Sequence, residues 1–210
     1  MKQQDTKNKI IEKALELFSK NGYDSVSVAQ IAEAVGIKAP SLYNHFSCKQ
    51  AIFDAIVENT AVQYEKYTDE INIHIQDVKK DIDVFSNITY DALIQKVRQI
   101  FLYSLHNKAI SSFRRMMTIE QFRSTELAWL YSDRFIDRLA TYHSNIFDKL
   151  IKAGELKAEN ADALALMYTA PVISLLGICD RQPEREQECL NKLEEHVRLF
   201  YHTFRQNHIS

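Results

Sequence analysis

Chain breakers are scarce: 4 Gly and 3 Pro in 210 residues. So few turning points predict long helices joined by few loops. No β-hairpin signal and no internal repeat is present. Cysteine is scarce too. Cys48, Cys179 and Cys189 have no metal-ligand spacing, and any disulfide would leave one unpaired. Reduced thiols and a cytoplasmic protein are the expectation. The N-terminus, MKQQDTKNK, lacks the apolar core of a secretion signal. The longest nearly uncharged run, Ala163 to Cys179, has 17 residues and includes Tyr168, Thr169, Pro171, Ser174 and Gly177. It is short for a bilayer span and reads as a helix buried on several faces. H-E-x-x-H, C-x-x-C, G-x-S-x-G, P-loop and G-x-G-x-x-G motifs are all missing, and the histidines show no paired ligand spacing. No catalytic residue, metal site or cofactor is expected, and the chain reads as a non-enzyme.

What is present is a 46% hydrophobic composition, enough for a real core, in a length that suits one large or two small domains. Residues 1–50 carry seven Lys and five acidic groups, a net of +2, and residues 51–210 carry 19 basic and 23 acidic groups, a net of −4. A mildly basic head on a mildly acidic body fits a DNA-binding end.

Apolar periodicity predicts helices over about 6–21, 91–105, 125–153, 161–179 and 184–205, with a less regular region from His106 to Ser124. Asn21-Gly22 and Gly154 are helix stops. Ser27 and Gln30 match one capping box, and Ser47 and Gln50 a second that opens a long helix running towards Asp69. Pro40 fits the first turn of a short helix over about 39–46.

The stretch Val28 to Ser47, VAQIAEAVGIKAPSLYNHFS, reads as two short helices joined by a tight turn. Ile31, Ala32, Val35, Ile37 and Leu42 fall where the two must touch, and Gly36 opens the turn. This unit places a helix in the DNA major groove. Lys38, Ala39, Ser41, Tyr43 and Asn44 lie on its outer face. Lys38 suits a guanine edge or a phosphate; Ala39 and Pro40 suit a thymine methyl. Ser27 and Lys49 stand at helix N-termini, where N–H groups and the dipole favour phosphate. Residues 1–50 contain no Arg, so DNA shape is expected to share in discrimination.

The first helix ends in F-x-x-x-G-Y (Phe18, Gly22, Tyr23), followed by I-A-x-x-x-G (Ile31, Ala32, Gly36), S-L-Y-x-H-F (Ser41, Leu42, Tyr43, His45, Phe46) and Lys49. In this order, residues 6–58 resemble the N-terminal domain of TetR-family transcriptional regulators. The resemblance implies that Tyr43 and His45 hold phosphates. It also implies that the remainder binds an effector and forms a homodimer.

Two features bear on that remainder. The Ala163–Cys179 helix and the final helix, with Leu190, Leu193, Val197, Phe200, Tyr201 and Phe204, offer more apolar surface than one layer covers, as a four-helix dimer interface would. Aromatic and Met residues are dense between Phe101 and Tyr142, and Phe101, Phe113, Met117, Trp129 and Tyr131, together with His143, are candidates to line a largely apolar effector pocket. The same residues suit an ordinary core.

The expected fold class is all-α. A three-helix helix-turn-helix domain (1–50) is joined by a long helix to a helical effector-binding and dimerisation domain (51–210), about nine helices in total. The expected function is a DNA-binding regulator, a ligand-responsive repressor acting as a dimer on a near-palindromic operator, with no membrane contact. The alternative is a DNA-positioned module that recruits a protein partner without a small-molecule effector.

Overall fold

The computed structural model describes residues 2–75 and 77–206. They are helical, apart from connecting turns and one isolated antiparallel bridge between Leu156 and Arg205. Two compact units share the chain: Met1–Tyr64 with Asn107–Leu130, and Glu65–His106 with Tyr131–Ser210.

The first unit contains α1 (Lys2–Asn21), α2 (Val28–Val35), α3 (Ala39–Leu42), most of α4 (Lys49–Glu70), α7 (Lys108–Glu120) and the start of α8 (Thr125–Ser132). The α1 stripe of Ile10, Ile11, Ala14, Leu15 and Phe18 is buried as its spacing predicts. Gly22, at φ +81°, turns the chain out of α1 while its N–H donates to the Phe18 carbonyl at 2.9 Å. At α2 the capping box is formed in full: the Ser27 side chain accepts the Gln30 N–H, and the Gln30 side chain accepts the Ser27 N–H. Gly36 ends α2 in the left-handed conformation, φ +80°.

The region from His106 to Ser124 is more regular than the sequence suggested. Asn107 accepts the Ile110 N–H at 3.1 Å and caps α7, and α7 packs along α1. Its apolar residues Ile110, Phe113, Met116 and Met117 are buried, but so are Ser111, Ser112, Arg114 and Glu120. The mixture hides the stripe that would have announced a helix.

The second unit contains α5 (Val78–Ser86), α6 (Tyr90–His106), α9 (Arg138–Lys152), α10 (Ala161–Arg181) and α11 (Glu186–Phe204). A π-helical segment, Asp133–Asp137, joins α8 to α9 without interruption. One core gathers Leu93, Tyr142, Ile146, Phe147, Tyr168 and Phe200 among others; another gathers Phe101, Leu175, Cys179, Cys189, Leu190 and Leu193. Asp81, fully buried, accepts the His74 backbone N–H at 2.7 Å and the Tyr142 hydroxyl, and its other oxygen meets His74 Nδ1 at 2.6 Å. The end of α11 is clasped to the turn after α9: Lys157 N–H donates to the Phe204 carbonyl at 2.8 Å and Gln206 N–H to the Glu155 carbonyl at 2.9 Å.

Candidate nucleic-acid interface and effector cavity

The α3 helix is a single turn. Lys38 caps it in an extended conformation and Pro40 sits in its first turn, where no N–H is missed. It is shorter than the 39–46 expected. His45 and Phe46 follow as a turn whose N–H groups both donate to the Leu42 carbonyl, at 2.9 and 3.1 Å. Leu42 and Phe46 point into the domain and are buried. Truncating Leu42 to Ala would cost about 2–5 kcal/mol. On the other side Lys38, Pro40, Ser41 and Asn44 are exposed and Tyr43 is 54% exposed, while Ala39 and His45 are half-buried. A one-turn helix thus has an anchored inner face and a polar outer one, the division needed to meet base edges and phosphates.

Two flanking positions are used differently from each other. Ser27 is exposed and occupied as a cap. Lys49 turns inward: its Nζ donates to the Tyr23 carbonyl at 2.9 Å and the Val26 carbonyl at 3.0 Å, and lies 4.2 Å from the centre of the Tyr23 ring. The second capping box does not form as read. The helix α4 begins at Lys49, so Cys48 occupies the cap. The Ala51 backbone N–H, with the Ser47 side chain, holds the exposed Cys48 thiol below its usual pKa. Gln50 is engaged elsewhere, accepting from the Tyr23 hydroxyl at 3.1 Å and donating to Asp54 at 2.9 Å.

Residues 10–56 match the model of the family described as bacterial regulatory proteins, tetR family. The N-terminal domain of this chain is thus similar to that of the TetR family. Among its relatives is the negative regulator of the biofilm operon icaADBC, IcaR, of Staphylococcus aureus strain Newman. The two are 28% identical over 167 residues, covering 72% of this chain and 83% of that one. A TetR-family structure from Mesorhizobium loti MAFF303099 superposes with a TM-score of 0.71 at 17% identity, covering 98% of this chain and 100% of the other. SmeT, the repressor of the Stenotrophomonas maltophilia multidrug efflux pump SmeDEF, gives 0.67 at 16% identity, with 100% and 95% covered. At such identities the structural likeness speaks for the TetR fold alone.

The six effector candidates do not converge. Phe113 and Met117 are buried on α7 in the first unit, and Trp129, in the same unit, is 70% exposed. In the second unit, Phe101 lies in a core cluster and Tyr131 is half-buried against Phe135. Only His143 lines a cavity described in that unit, a space of about 40 Å³ whose wall includes Phe85, Leu93, Phe147, Tyr168 and Phe200. Sequence reasoning did not assign the other ten lining residues to a pocket. They come from α5, α6, α9, α10, α11 and the turns between them and meet only through folding; the hint was an aromatic, Tyr168, inside the longest apolar run.

The helix α10 is long and apolar enough to cross a membrane by length and composition, yet only 33% of its most apolar stretch is buried. Leu166 and Met167 on α10 and Leu199 on α11 are exposed. Pro171 lies inside α10, so the Met167 carbonyl lacks its usual helical donor.

Proposed function

We propose that this regulator is a ligand-responsive repressor that acts in the cytoplasm as a homodimer on a near-palindromic operator, one α3 per half-site. The observation that carries the reading is the two-faced α3, with Leu42 buried and Tyr43 beside it turned outward. Lys38, Ala39, Pro40 and Ser41 face base edges; Tyr43, Asn44, His45 and Ser27 hold the backbone; Lys49 positions the α1–α2 turn that supports them. Residues 1–50 read DNA, and residues 51–210 sense the effector and dimerise. The exposed apolar residues of α10 and α11 support a two-fold interface, since so large an apolar face needs a cover. Ligand responsiveness draws support from the aromatic cavity, and from SmeT, which has been captured in complex with triclosan. Effector binding shifts operator affinity through its different affinity for the two arrangements of the dimer.

The test is operator affinity against salt and against scrambled DNA. An excess over non-specific binding of at least about a thousandfold is expected. Tyr43→Ala should weaken binding about tenfold at every sequence, while Ser41→Ala should also alter base preference. A repressor reading fails if all sequences bind alike.

A further inference from the structure

We infer that Lys7, on α1, holds a DNA phosphate beside the turn that follows α3, so that α1 grips the duplex together with the helix-turn-helix. The inference rests on the reading of α3 as the DNA-contacting helix and adds a contact outside the stretch Val28 to Ser47.

Lys7 stands one turn before Ile10 and Ile11, at the N-terminal end of the stripe that α1 buries. A lysine fits there because its stem can follow apolar surface while its ammonium reaches water. The side chain is exposed, and its Nζ lies 5.4 Å from the centre of the Phe46 ring. An ammonium at that range is attracted to the ring face. Phe46 is buried, and it belongs to the turn that carries exposed Tyr43 and Asn44 and half-buried His45. The cation is thereby placed next to the outer residues of α3, although it comes from a different helix.

The ammonium is also uncommitted. Among the described residues Lys7 forms no hydrogen bond and no ion pair. Lys13 and Lys20, further along α1, both pair with Glu16, at 3.2 and 3.1 Å. Lys9 is unpaired as well, but on another side of the helix. At about 100° per residue it is turned about 200° from Lys7. It falls on a stripe with Asp5, Glu12 and Glu16, and those two glutamates meet Lys108 of α7 at 3.9 and 3.7 Å. That side of α1 is acidic and lies against α7. Of the lysines described on α1, Lys7 alone brings a free positive charge to the α3 side.

A phosphate is the group such a position takes. The lysine ammonium is a point charge on a flexible stem, without the planar fork that reads a base edge. Each DNA strand offers a phosphate about every 3.4 Å along the axis. A backbone held at Tyr43 and His45 therefore brings further phosphates within reach of a cation at Phe46. The contact supplies grip and register, not sequence preference.

The test uses the full chain, a duplex that the chain selects from a random-sequence pool, and a scrambled duplex of the same composition, titrated at several salt concentrations. Lys7→Met keeps an apolar stem over Phe46 and removes the charge. It should weaken binding to both duplexes by the same factor and lower the salt slope by about 0.9. Lys7→Arg should keep the wild-type slope. Lys9→Met removes an equal charge from the acidic side and should leave the slope where it was. An unchanged slope in Lys7→Met, a slope lost in Lys7→Arg, an equal change in Lys9→Met, or a loss confined to the selected duplex would each overturn the assignment. Tyr43→Ala is measured alongside. If no duplex is selected, or Tyr43→Ala binds like the wild type, the reading of α3 is what fails. If Tyr43→Ala weakens binding while Lys7→Met does nothing, α3 stands and the Lys7 contact falls.

Discussion

Glu120 Oε1 accepts the backbone N–H of Tyr23 at 2.9 Å, a bond that joins residues 97 positions apart. The carboxylate is fully buried, and Arg123 pairs with it at 3.2 Å while also donating to Asp24 at 2.6 Å. Lys49 grips the same turn by its carbonyls. The turn that leads from α1 into α2 is therefore held on its N–H side by α7 and on its C=O side by α4. A Cβ at Gly22 would stand 3.1 Å from that Glu120 oxygen, so the glycine serves close approach as well as its positive φ.

Glu120→Ala should lower unfolding free energy by about 1–3 kcal/mol, since it leaves a Tyr23 N–H without its partner. Glu120→Gln keeps an acceptor in place and should retain most of that stability. Chemical denaturation of the two variants checks this. Equal loss in both would show that charge, not the hydrogen bond, holds the turn.

Lys49→Met should weaken operator binding without changing its dependence on salt, because the ammonium is spent on two carbonyls and a ring. Lys38 makes no ion pair among the described residues, and Lys38→Ala should reduce the salt slope by about 0.9, one phosphate's worth. Affinities at several salt concentrations decide it. A slope reduced by Lys49→Met would put a phosphate on that residue.

Leu166→Glu combined with Leu199→Glu should convert the proposed dimer to monomer, seen by sedimentation at micromolar concentration. Both side chains are exposed within one protomer, so the fold of the protomer should survive and helical circular dichroism should persist. A variant that stays dimeric places the interface elsewhere.

Acidification should destabilise the second unit through His143. Its folded pKa lies at about 4, below the ordinary value of 6.5. Between those values the unfolded chain binds a proton that the folded chain refuses, so stability falls as pH drops through that window and is fully present above it. His143→Phe should flatten this part of a melting-temperature profile taken from pH 4.5 to 7.5. A profile unchanged by the substitution would assign the acid sensitivity to other groups.

The parts of the fold legible in the sequence are those whose causes are local. The Ser27–Gln30 box, the Gly36 turn, Pro40 and the α1 stripe each arise from residues within a few positions of one another. The parts that stayed hidden depend on distant partners. The α7 stripe is blurred by Arg114 and Glu120, buried polar residues that a periodicity count treats as solvent-facing. The short α5 was missed for a similar reason, with Asp81 buried in its first turn. The inward direction of Lys49 follows from carbonyls in another loop, and the cavity is assembled from five helices. Aromatic density between Phe101 and Tyr142 was a poor guide because that span is divided between the two units.

The brevity of α3 has a consequence for how its outer face can change. One turn of helix contributes little rigidity of its own, so its seating depends on Leu42 and Phe46 below. Residues above that seat can be exchanged with little penalty to folding. On the proposed reading, new target sequences are within reach of a handful of exterior substitutions, while the scaffold beneath stays as it is.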